Sequence, residues 1–135
     1  MTRPRFRTLA HGADLRVAIW GEGEQDLIAN AVVAAVTLAL GGTRQVGRRR
    51  RAAIRPWPAA LESRLVRAVN EALFALYLRH EAATGVELTA RGAQLLLGAL
   101  PDCAVPELEI KAATYHDLSP RRREGRLSAL LTLDV

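Results

Sequence analysis

The sequence predicts an α+β fold: an antiparallel or mixed β-sheet with two amphipathic helices packed on one face. Three observations lead there. Leu15, Val17 and Ile19 alternate with Arg16 and Ala18, the period of a half-buried strand. Two longer stretches, 25–40 and 59–82, carry apolar residues at helical spacing. Short apolar segments separated by tight turns follow, and strands joined in that way pair antiparallel.

The first clear strand spans 15–21 and is broken by Gly21 and Gly23. In the helix over 25–40, Leu27, Ala31, Ala34, Ala35 and Leu38 form the apolar stripe, and Gly41-Gly42 is its stop. Residues 45–54 predict a strand holding Arg48, Arg49, Arg50 and Arg51. A run of charge must occupy both faces of a strand, so this one belongs at an edge or twists outward. Pro56 and Pro58 end it and lead into the second helix. There Leu61, Leu65, Val69, Leu73 and Leu76 recur at helical spacing, and the helix is expected to close at Gly85. His80 lies near its C-terminus, where the helix dipole favours a cation, which suggests a capping role. Segments 86–90 and 93–100, split at Gly92, predict a hairpin, and 101–106 a loop. A strand is expected over 107–116, with Leu108, Ile110 and Ala112 on one face and Glu107, Glu109 and Lys111 on the other. A polar turn at 119–125 holds Arg121, Arg122 and Arg123, and 127–135 is the last strand. No repeat or linker interrupts the chain, so 1–135 is expected to form one domain.

With 135 residues, 50% of them hydrophobic and only 4% aromatic, the chain can fill one core, mostly with Ala, Leu and Val. That composition excludes a disordered protein. The stretch 27–40 is too short for a membrane span and carries Asn30 and Thr37, so no membrane partner is expected. The basic start of the chain has no apolar segment directly behind it, as a secretory signal would. The single cysteine, Cys103, excludes an internal disulfide and fits a reducing, cytoplasmic setting. The formal charge is +5, and all but one of the 19 Lys and Arg residues are Arg; the exception is Lys111. An ammonium is a compact point charge and a guanidinium a planar fork, so the two are not equivalent at a site.

The usual catalytic signatures are missing. No Gly-rich phosphate loop precedes a helix, no Cys/His spacing suggests zinc, and His11, His80 and His116 are far apart in sequence. Asp14 lies at the mouth of the first clear strand, and Asp134 at the end of the last, beside the terminal carboxylate of Val135. If those strands are antiparallel neighbours, the three anionic groups converge and require a cation or a proton between them. If they are not, both Asp residues cap strand ends in solvent. The Arg runs could attract phosphate backbones without sequence specificity, or meet an acidic protein. Only Trp57 lies near Arg48 to Arg51 in sequence, so a dedicated RNA-recognition surface is the less favoured reading.

Four segments, in order, resemble the archease family. They are His11-Gly12-Ala13-Asp14-Leu15 followed by a strand ending in Trp20-Gly21; the helix from Leu61 to Tyr77 with Asn70-Glu71 inside it; Lys111-Ala112-Ala113-Thr114-Tyr115-His116; and Leu131-Thr132-Leu133-Asp134-Val135. The chain departs from the family pattern at Gly12, at Arg16 and at Arg67-Ala68. The resemblance implies a non-catalytic activator of an RtcB-type RNA ligase in tRNA splicing or RNA repair. Such a factor promotes ligase guanylylation and multiple turnover and touches RNA only indirectly or weakly. It further implies a structural divalent cation, calcium or else magnesium or manganese, on Asp14, Asp134 and Val135, and a role in ligase activation for Lys111 and His11. Two other classes compete: a general RNA- or protein-binding chaperone acting through the Arg runs, and a phosphate-handling enzyme built on the carboxylates. The sequence leaves the oligomeric state open.

Overall fold

The computed structural model describes residues 5–9, 14–43 and 45–135. In chain order the elements are β1 (Phe6–Thr8), β2 (Asp14–Gly21), α1 (Glu24–Leu40), β3 (Arg49–Ile54) and α2 (Leu61–Arg79). Then come β4 (Glu81–Thr89), β5 (Gly92–Ala99), β6 (Ala112–Thr114), β7 (Arg121–Arg123) and β8 (Arg126–Asp134). The α+β class and the pair of helices are as the sequence predicts, and every strand pairing is antiparallel.

The strands divide into two sheets. One runs β1-β2-β8, with β6 and β7 both paired to the far edge of β8; the other runs β3-β5-β4. Helix α1 touches both sheets and α2. Its buried residues, among them Leu27, Ile28, Val32, Ala35, Val36 and Leu40, surround the helix and do not form one stripe, as expected for a helix enclosed by other elements. Helix α2 is amphipathic: Leu65, Val69, Ala72, Leu73 and Leu76 are buried, and Phe74 and Leu78 are exposed.

The β2–β8 pair shows how alternation becomes packing. Leu15, Val17 and Ile19 stand opposite Leu133, Leu131 and Ala129 on the inner face, and Val17, Ile19, Leu131 and Leu133 are fully buried. Burying a side chain of this size contributes ~1.5–3 kcal/mol. The opposite face of the same strands carries Asp14, Arg16, Ala18 and Trp20 against Asp134, Thr132, Leu130 and Ser128.

Four expected boundaries moved. Helix α2 ends at Arg79, because His80 takes a left-handed conformation (φ 55°) and its N–H caps the Ala75 carbonyl. Residues Ala82, Ala83 and Val86, apolar enough to prolong a helix, therefore enter β4, and Gly85 sits at that strand's register shift. The strand expected over 45–54 is regular only over Arg49–Ile54. In 107–116 only Ala112–Thr114 pairs as a strand, because the Glu107 and Leu108 N–H groups donate to the Ala39 carbonyl instead. The run Arg121–Arg123 is not a turn but pairs with β8, and the turn is confined to Glu124 and Gly125, both at positive φ. No helix among the described residues is long and apolar enough to cross a membrane.

Candidate functional site: the acidic end of the five-stranded sheet

Asp14 is the direct cross-strand partner of Asp134. Residues so paired have Cβ atoms about 4.5–5.5 Å apart, and like charges in that position repel. On the other side of β8, Ala112 is the partner of Asp134, and the Lys111 N–H donates to the Asp134 carbonyl at 2.7 Å. Asp134 and Lys111 are exposed, Asp14 is half-buried, and the Val135 side chain packs against the core. His11 lies outside the described residues.

Helix α2 holds the Lys111 segment from both sides. The Asn70 Oδ1 accepts the Ala113 N–H at 2.7 Å. The Tyr77 hydroxyl donates to the Leu108 carbonyl and accepts the Ile110 N–H, each at 2.8 Å. Burial raises the Tyr77 phenol above its ordinary range, the Ile110 N–H works against that, and the Glu109 charge adds to it. The protonated phenol that donates to Leu108 is thereby favoured. Asn70 and Tyr77 lie seven positions apart on α2, which is two turns, so one helix face reaches the loop twice. Sequence reasoning missed both as positioning residues; the available signal was a polar residue, Asn70, beside the apolar stripe. Behind this end, buried Thr132 donates to the His116 carbonyl at 3.1 Å, and Arg16 pairs with Asp117 at 3.2 Å.

Among the described residues, no group of three or more His, Cys, Asp or Glu side chains forms a cluster fit for a metal. The donor set at Asp14 and Asp134 is oxygen only, which suits a hard cation such as calcium or magnesium. Such an ion would complete its shell from backbone oxygens or water.

The Arg run on β3 lies on the other sheet. Arg50 makes a two-pronged pair with Glu81, both contacts at 2.7 Å, and Arg51 lies 3.6 Å from Glu87. The bond from Arg50 holds the Glu81 carboxyl below its ordinary range. Half of the basic run is thus engaged by carboxylates, while Arg48 and Arg49 remain exposed.

The geometry joins residues that come from three of the four resembling segments, and the fourth, α2, clamps them. A sequence model of the archease protein family (MTH1598/TM1083) matches residues 6–135. The chain belongs to the archease family. Two solved structures have the same fold. One, from Thermotoga maritima, is described as an archease and possible chaperone; it is 18% identical, with a TM-score of 0.69, over 100% of this chain and 98% of its own. The other, protein 1598 of Methanobacterium thermoautotrophicum, is 19% identical, with a TM-score of 0.71, over 98% of this chain and 100% of its own. No curated protein sequence matches the chain.

Proposed function

We propose that this archease is a cytoplasmic, non-catalytic activator of an RtcB-type RNA ligase, acting through the acidic end of its five-stranded sheet. The observation that carries the reading is the register of β8. It sets Asp134 between Asp14 and the Lys111 segment, so two aspartates and the chain's one lysine share one sheet end. A divalent cation on Asp14, Asp134 and the Val135 carboxylate relieves the repulsion and keeps this end in shape without performing chemistry. Lys111, presented by a segment fixed at Ile110 and Ala113, meets the ligase, and His11 shares in that activation. Family membership supports an accessory role, and so does the description of the Thermotoga protein as a possible chaperone.

The test is a guanylylation assay with a ligase of this type, GTP and a divalent metal. Substoichiometric wild-type protein should raise ligase guanylylation and turnover, and alone it should neither join nor hydrolyse RNA. Lys111→Ala should fold normally and lose the effect, and Lys111→Arg should recover only part of it, because a planar fork does not replace a point charge. Full activation by Lys111→Ala would defeat the proposal. The chaperone reading through Arg48, Arg49, Arg50 and Arg51 is weakened by the Glu81 and Glu87 pairs.

A further inference from the structure

The outer face of the β2–β8 pair ends, away from the two Asp residues, in a groove of about 530 Å³. Its floor is Ala18 and Leu130, and its walls include Arg7, Trp20, Ser119, Arg121, Arg126 and Ser128. Strand pairing explains the gathering. Arg7 is the partner of Ala18, Trp20 of Ser128, and Arg121 of Ser128 on its other side, so these side chains rise from one face. The Arg126 guanidinium lies over the Trp20 ring, 4.7 Å from its centroid. The one carboxylate on the groove, Asp117, is already paired with Arg16 and His116, each at 3.2 Å. Among the described residues, Arg7, Arg121 and Arg126 have no carboxylate partner.

Three cations with no acid to neutralise them, two hydroxyls and a half-buried indole capped by a guanidinium form a definite combination. The charge suits phosphodiesters, and the flat Trp20–Arg126 pair offers a stacking surface that an acidic peptide does not use. A duplex keeps its bases stacked on each other and cannot reach that surface. We infer that this groove binds single-stranded nucleic acid, with phosphates on Arg7 and Arg121 and a base stacked on the Trp20–Arg126 pair. The inference is independent of the ligase reading, since nucleic-acid capture and guanylylation are separate readouts and either can fail alone.

The test is fluorescence anisotropy of the full chain with a labelled oligouridylate of about 12 nucleotides, a length within the usual range for such grooves. Binding should weaken with salt, with a slope of about −0.7 per phosphate neutralised. Trp20→Leu should weaken it about tenfold or more. Arg121→Gln, an exposed change on a short edge strand that should not disturb folding, should flatten the salt slope by about 0.7. Arg48→Gln/Arg49→Gln should leave affinity unchanged, and a duplex of the same length should bind more weakly. Three results would overturn the inference: unchanged affinity in both groove variants, equal binding of duplex, or tighter capture of polyglutamate than of the oligouridylate.

Discussion

At one end of the β2–β8 pair, Asp14 stands opposite Asp134; at the other, Trp20 stands opposite Ser128 beneath the Arg126 guanidinium. The same two strands and the same face carry opposite charge at their two ends. The ends are also built differently. The acidic end is fixed by backbone: Lys111 N–H on Asp134, and α2 side chains on Ile110 and Ala113. The basic end rests on exposed arginines from the three-residue strands β1 and β7. A rigid end suits a contact where orientation decides the outcome. A pliant, cationic end suits a ligand held by charge and stacking.

The sharpest way to break this contrast is to exchange its parts. Asp14→Ala/Asp134→Ala should lower ligase activation at least about tenfold, ~1.4 kcal/mol in the affected step. Arg121→Gln/Arg126→Gln should leave it unchanged in the same guanylylation assay. Equal losses would mean that the two ends act as one surface.

Chelation probes the same acidic end through stability. A cation present at about one hundred times its Kd stabilises the folded state by ~2.7 kcal/mol. Removing it with EDTA should lower the Tm of wild type in calorimetry and leave Asp14→Asn/Asp134→Asn where it was. An identical shift in both would remove the cation from the acidic end.

Asn70→Ala sharpens the contrast without touching either Asp. It strands the Ala113 N–H that Asn70 Oδ1 accepts, which costs ~1–3 kcal/mol when the group stays buried. Urea unfolding should report that loss, and activation should fall although Lys111 is intact. Asn70→Asp keeps the acceptor and should retain most of the activity. Normal activation by Asn70→Ala would show that Lys111 does not need the clamp.

The smallest effects are in pH. The Tyr77 phenol is raised in the fold, so its contribution is fully present below the ordinary phenol value near ~10 and is lost as pH rises through the higher folded value. Stability of the wild type should therefore fall in alkali more steeply than that of Tyr77→Phe. Glu81 is lowered by Arg50, so its contribution is present above the ordinary carboxylate value near ~4.3 and fades as pH drops through the folded one. Arg50→Gln should flatten that acid limb. Parallel curves for either pair of proteins would show that the contact contributes nothing.

Alternation makes β2 legible, because one buried face imposes period two, and the apolar segments on either side of Gly92 make the β4–β5 hairpin legible from Val86 onward. The meeting of Asp14 with Asp134 was legible only as a condition, since periodicity says which face a residue takes and not which strand lies beside it. The two sheets were hidden for a related reason. An apolar helix such as α1 reads alike whether one layer or two cover it. The end of α2 was misplaced because His80, which carries a Cβ, takes the conformation usually left to glycine. The basic groove escaped notice because Arg7, Trp20, Arg121 and Arg126 come from four strands and share no spacing in the sequence.

β8 is last of the strands in sequence and central in its sheet, flanked by β2 on one side and by β6 and β7 on the other. On a ribosome, β2 emerges early and β8 late. Until β8 arrives, β2 has only short β1 beside it, and its other edge presents unpaired N–H and C=O groups. The β4–β5 hairpin can close from its own neighbouring residues, whereas the five-stranded sheet waits for contacts that span nearly the whole chain. Both ends of the outer face therefore come into being together, when β8 pairs with its neighbours.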